Sequence, residues 1–157
     1  MSLVFLSYSL QDEREAAIIR DELRKHGLDV WWDAELPVGK NWAAELGRAL
    51  EKSDSMVVLV SPSAMASDLV RRELDHAISH ESFRDRLFPV IIKQTPVADL
   101  PGYFSLLPVF DATRDRTTAL KQVADAVRPK KRRRLTNKHA QQARPVVRAG
   151  PPKRVSE

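Results

Sequence analysis

Ser55-Met56-Val57-Val58-Leu59-Val60 carries apolar side chains at every position after the first and leaves no polar alternation for a solvent face. Such a run is expected of a central parallel strand covered by helices on both sides. Working outward, Leu3 to Tyr8 is a second short apolar run. Asp12 to His26 then places Ala16, Ile19 and Leu23 at helical spacing before Gly27 closes the helix. Leu28 to Trp32 predicts another strand, followed by the loop Asp33-Ala34-Glu35-Leu36-Pro37-Val38-Gly39-Lys40 and a helix from about Asn41 to Lys52. Beyond the central run, Ala64 to His80 predicts a third helix and Leu87 to Lys93 a fourth strand. Val109 to Asp111 marks the end of a short fifth strand, and Thr117 to Val127 a last helix. Residues 94–106, with Pro96 and Pro101, have no clear periodicity. Strands alternating with helices indicate an α/β fold, an open doubly wound parallel sheet of five strands with flavodoxin-like order.

The chain has 157 residues, which suits one domain with an extension. The absence of cysteine excludes disulfides, thiolate zinc sites and cysteine nucleophiles, and points to a cytoplasmic setting. No stretch approaches the ~20 apolar residues of a spanning helix, and the first residues do not form a signal peptide. The net charge of +5 conceals a division. Residues 1–127 hold 15 Lys and Arg against 20 Asp and Glu, whereas residues 128–157 hold 11 against 1. The second segment also has four prolines and no aromatic residue, so it is expected to be a disordered polybasic tail following a domain over 1–127. It can contact nucleic acid or anionic lipid without sequence specificity, or lie against its own acidic domain.

In doubly wound sheets ligands bind beyond the carboxyl ends of the strands, here Ser7 to Gln11, Asp33 to Trp42 and Ser61 to Glu73. The turn Ser7-Tyr8-Ser9-Leu10-Gln11 contains no glycine, which excludes a dinucleotide fingerprint of the Gly-x-Gly-x-x-Gly kind, and no P-loop motif occurs anywhere. A phospho-accepting receiver needs an aspartate where the third strand ends; Val60-Ser61-Pro62 stands there instead. His76 and His80 lie four apart without an intervening catalytic glutamate, so a surface position is expected of them rather than a metal site.

At those three segments the sequence resembles a Toll/interleukin-1 receptor (TIR) domain over residues 1 to about 127. Phe5-Leu6-Ser7-Tyr8-Ser9 is similar to the family's Phe-Ile-Ser-Tyr opening. Trp32-Asp33, the Pro and Gly loop and Trp42 resemble the BB-loop segment, especially its bacterial form. Val57-Val58-Leu59-Val60-Ser61-Pro62-Ser63 resembles the third strand and its exit, and Ser67-Asp68-Leu69-Val70-Arg71-Arg72-Glu73-Leu74 the motif Ser-x-Trp-Cys-x-x-Glu-Leu.

The resemblance implies an NAD glycohydrolase that cleaves the nicotinamide–ribose bond to give nicotinamide and ADP-ribose or a cyclic isomer, in immune or defence signalling. Its alternative is a non-catalytic module that signals by TIR–TIR assembly or interferes with it. Glu73 aligns with the family's catalytic glutamate. Tyr8, Ser9, Leu10, Asp33, Lys40, Trp42 and Ser63 fall where NAD is bound, and Leu36, Pro37, Val38 and Gly39 form the BB-loop tip expected to enter a neighbouring copy. NAD is then the substrate, and no cofactor or metal is implied. Nicotinamide is cationic in NAD and leaves neutral, so a single carboxylate that stabilises an oxocarbenium-like transition state suffices. Without the motif, Glu73 reads as a solvated helix carboxylate beside Arg72. Two departures stand out. Leu69 occupies the place of the family's aromatic residue, and Leu10 and Gln11 stand where active members often carry a basic residue, leaving Lys40 or Arg71 for the phosphates.

Overall fold

In the computed structural model, which describes residues 3–32, 42–80 and 85–128, the apolar run forms β3 (Ser55–Val60), buried at every residue. Its neighbours are β1 (Leu3–Ser7) and β4 (Leu87–Ile91), with β2 (Asp29–Trp32) and β5 (Phe110–Asp111) at the edges. The five strands run parallel in the order β2-β1-β3-β4-β5. This is the flavodoxin-like order expected, and β3 lies at its centre because its side chains need cover on both faces.

Strand alternation divides the core into two layers. Val4, Leu6, Val57, Leu59 and Val90 face α1 (Glu13–Lys25) and α5 (Arg116–Val127), which present Ile19, Leu23, Leu120 and Val123. Phe5, Met56, Val58, Val60 and Leu87 face α2 (Trp42–Lys52) and α4 (Asp68–Ile78), which present Leu50, Val70, Leu74 and Ala77. Each fully buried side chain of this size contributes roughly 1.5–3 kcal/mol. The adjacent tryptophans of β2 separate in the same way. Trp31 stacks on Phe5 at 4.9 Å between ring centroids, while Trp32 lies against Tyr8 at 5.6 Å, with the Arg20 guanidinium 4.2 Å from its ring centre.

Helix α1 ends where the sequence predicts. Gly27 has φ of +88°, its N–H bonds to the Arg24 carbonyl at 3.0 Å, and Leu28 bonds back to Leu23 at 3.3 Å, a glycine-terminated helix end. Asp115 starts α5 by accepting from the Thr118 N–H at 3.1 Å.

Two expectations need correction. The helix expected over 64–80 is two: α3 (Pro62–Met65) is capped by Ser61, and α4 begins afresh at Ser67, whose hydroxyl accepts from the Val70 N–H at 3.2 Å. The first helix is preceded by a 3-10 turn at Leu10–Asp12, and Asp12 is the N-cap from which the α-helix continues, as expected. The fourth strand stops at Ile91, and Lys93 turns away to an ion pair with Asp12. In the undecided stretch, 3-10 turns form at Val97–Asp99 and Gly102–Leu106, each directly after a proline.

Pro89 sits inside β4, where a missing N–H should break a ladder. Arg86 and Ile92 direct their backbone groups to β3, and Ile91 directs its carbonyl to Ala112 beyond β5. By alternation the Pro89 nitrogen therefore faces the β5 side, at a level where β5, which pairs only with Val90 and Ile91, has not yet begun. The expected basic tail lies outside the described residues beyond Arg128, whose guanidinium donates to the His26 carbonyl at 2.6 Å. Among the described residues no helix is long and apolar enough to cross a membrane.

Candidate functional site

The carboxyl ends of β1 and β3, together with the start of α4, converge on one side of the sheet. Ser7, the last residue of β1, has odd strand parity with Phe5 and so faces the α2/α4 layer. There its hydroxyl donates a hydrogen bond to Glu73 Oε1. Glu73, on α4 between Val70 and Leu74, is fully buried. The picture of a solvated helix carboxylate does not hold. A buried carboxylate must be compensated by hydrogen bonds, and an oriented hydroxyl is one such device.

Tyr8, one residue on, faces the other way. It is fully buried in the α1/α5 layer against Trp32, so β1 parity places its ring on the face of the sheet opposite Glu73. Ser9 is nearly buried and receives the Gln11 N–H on its hydroxyl at 3.3 Å. Leu10, at the tip of this turn, is 67% exposed. Ser63 donates to the Gln11 side-chain oxygen at 2.9 Å, joining the β1 and β3 exits. Between these exits runs a groove of about 540 Å³, with Ser9, Leu10 and Gln11 on one side and Pro62, Ser63, Ala66, Ser67 and Leu69 on the other. Ser9, Leu10 and Ser63 are thus brought together, and Glu73 stands one helical turn beyond Leu69.

Asp33, Lys40 and the loop tip Leu36, Pro37, Val38 and Gly39 lie outside the described residues. Trp42 opens α2, and its side chain also lies outside them. Arg71 does not reach the groove. It donates to the Met65 carbonyl at 3.1 Å and lines a separate cavity of about 280 Å³ with Asp75 and Tyr103. Burial and the nearby Asp75 charge raise the Tyr103 hydroxyl above its usual pKa of 10.0. His76 and His80 are half-buried and stacked, with ring centroids 4.4 Å apart, and not on the open surface expected. Among the described residues no three His, Asp or Glu side chains group as metal ligands would.

Several residues of this edge escaped the sequence reading. Ser7 could have been found from strand parity, since alternation from Phe5 points it at α4. Asp12, Ser61 and Lys93 form a second polar cluster. Lys93 Nζ lies 2.8 Å from Asp12 Oδ1, and the Ser61 hydroxyl donates to Asp12 Oδ2. The hydrogen bond and charge of Asp12 raise the Lys93 pKa above its usual 10.5.

The family model for the TIR domain matches residues 4–125. Among solved structures, the TIR domain of the Toll-related receptor TRR-2 from Hydra magnipapillata superposes with a TM-score of 0.67 at 19% identity, covering 80% of this chain and 98% of that one. The SEFIR domain of interleukin-17 receptor B gives 0.57 at 15%, over 81% and 97%. The TIR domains of the activated Roq1 resistosome, which directly recognises the pathogen effector XopQ, give 0.51 at 22%, over 94% and 99%. At these identities the likeness is one of fold. A search of curated proteins by sequence returns no match. A family match spanning all five strands, on a sheet of this order, leaves one conclusion: the chain belongs to the TIR domain family.

Proposed function

We propose that this TIR domain hydrolyses NAD at the nicotinamide–ribose bond, with Glu73 as its catalytic residue. The observation that carries the reading is the buried Glu73 carboxylate, oriented by Ser7, one turn along α4 from a groove at the carboxyl edge of the sheet. In the reaction the bond from ribose C1′ to the pyridinium nitrogen breaks and its electron pair neutralises the ring. Water then captures C1′ and releases a proton; capture by the adenine of the same molecule gives a cyclic isomer. No acid is needed to expel nicotinamide, so the task left to the protein is to stabilise positive charge at C1′. A fixed carboxylate in a low-dielectric layer suits that task.

Full burial of Glu73 in the single protomer supports a resting state. Self-association is then the activating step, with the loop tip Leu36-Pro37-Val38-Gly39 of one copy completing the site of the next, and Asp33, Lys40 and Trp42 contributing to NAD binding. Head-to-tail contacts of this kind can propagate. The second reading, a non-catalytic TIR module acting through assembly, draws on the same burial, since a core carboxylate tied to a strand end can serve structure alone.

Nicotinamide release from NAD by the full chain, followed across a wide dilution series with wild type and Glu73→Gln, separates the two. Turnover that rises per protomer with concentration and vanishes in Glu73→Gln is the expected result. Absence of turnover even when the protein is artificially clustered would select the assembly module.

A further inference from the structure

Asp12 and Glu73 are the two fully buried carboxylates among the described residues, and the chemistry above uses only the second. Burying an ionised carboxylate costs several kcal/mol unless it is paired and hydrogen-bonded, so the partners of Asp12 show what it holds. Its Oδ1 receives Lys93 from the end of β4 at 2.8 Å, and its Oδ2 receives the Ser61 hydroxyl from the end of β3. Its backbone N–H closes the 3-10 turn on the Ser9 carbonyl at 2.8 Å. Ser61 in turn accepts from the Ala64 N–H at 3.0 Å, which fixes the start of α3. Lys93 is 45% exposed and also lies 3.8 Å from Glu15, so the charge pair reaches the surface on one side. One buried carboxylate therefore fastens the exits of β1, β3 and β4, and the first two of these exits are the two walls of the groove.

We infer that Asp12, with Lys93 as its counter-ion, is a positioning residue that holds the Ser9–Gln11 turn against the Ser61–Ser63 exit and so sets the width of the groove leading toward Glu73. This rests on the proposed NAD reading for its kinetic consequence, though not for its structural one. The groove side chains nearest the clasp, Ser9, Gln11 and Ser63, are uncharged hydroxyl and amide groups. They suit the hydroxyls of a ribose better than a phosphate. Asp12 itself is fully buried, held by Ser61 and Lys93, and so presents no face to a ligand in the groove.

The test uses the full chain and the variants Asp12→Asn, Lys93→Met and their combination. Asp12→Asn keeps an acceptor for Ser61 and loses the ion pair. KM for NAD is expected to rise about tenfold, with kcat changed less than about threefold, because the Ser7–Glu73 pair is untouched. Amide exchange over residues 9–12 is expected to quicken about tenfold while β3 amides hold. Lys93→Met leaves the carboxylate buried without its counter-ion, and the double variant recovers part of that loss, a non-additivity that marks a direct pair. Lys93→Met also supplies the same two readouts should Asp12→Asn fail to fold. A fall in melting temperature with KM and exchange at 9–12 both unchanged would overturn the positioning role. A wild type inert toward NAD would remove the functional reading, and the exchange experiment would still decide the clasp.

Discussion

The Ser7 hydroxyl donates to the Glu73 carboxylate across 66 positions of sequence, joining the end of β1 to the middle of α4. Both groups are fully buried, so each is sensitive to loss of the other. Ser7→Ala removes a hydrogen bond to a charged acceptor and is expected to cost about 1.5–3 kcal/mol of stability. Glu73→Gln retains an acceptor of the same shape without the charge and is expected to keep the fold. If Glu73 supplies the electrostatic stabilisation, the glutamine variant loses at least about 100-fold in turnover, whereas Ser7→Ala loses about tenfold by leaving the carboxylate less well held. Denaturant titration and nicotinamide release on the same preparations check both.

The break between α3 and α4 gives a second expectation. Ser67 restarts the helix by accepting from Val70, and Ser61 does the same for α3 while also serving Asp12. Ser67→Ala is expected to cost about 1 kcal/mol, as loss of a single cap does. Ser61→Ala is expected to cost more, because a buried carboxylate loses a donor along with the cap. The order of the two denaturation midpoints is the measurement.

A third expectation concerns acid. Burial, and then the neighbouring His80, lower the His76 pKa below its usual 6.5, against an opposing pull from Glu51 on α2. The folded protein therefore binds this proton less readily than the unfolded chain does. Stability from His76 is complete above pH 6.5 and declines as pH falls from there through the lowered folded value. Melting temperature is expected to drop by a few degrees between pH 6.5 and about pH 5 in wild type and to respond less in His76→Gln. Equal slopes in the two proteins would assign the acid sensitivity elsewhere.

The alternation of strands and helices and the doubly covered central strand could be read from the chain because they rest on local periodicity. Ser55–Val60 had no side that could face water, and Ala16, Ile19 and Leu23 could form only one stripe. What escaped depended on partners distant in sequence. Local periodicity does not show that Glu73 is fully buried, and the Ser7 hydroxyl that meets its carboxylate comes from another element. Asp12 looked like an ordinary first-turn acid until Lys93 and Ser61 were brought to it from β4 and β3. The elbow at Ser67 was hidden by an apolar period that runs on from Ala64, although the serine that caps α4, followed by an acid in its first turn, was there to be noticed. Tyr8 was expected where NAD is bound, although alternation from Leu6 points its ring into the α1/α5 layer.

Pro89 has a consequence at the border of the sheet. With no donor at Pro89, β4 offers β5 a short landing, and β5 is two residues long; at the opposite border β2 is four. Among the described residues both rims are shorter than the strands they enclose, so neither presents there the long row of free amide and carbonyl groups that templates addition of a foreign strand. A domain whose family works by gathering copies together is thereby kept from gathering them through its sheet. Crowded protomers would meet through loops and helices, where contacts can be made and undone, and not by the strand-on-strand growth that ends in amyloid.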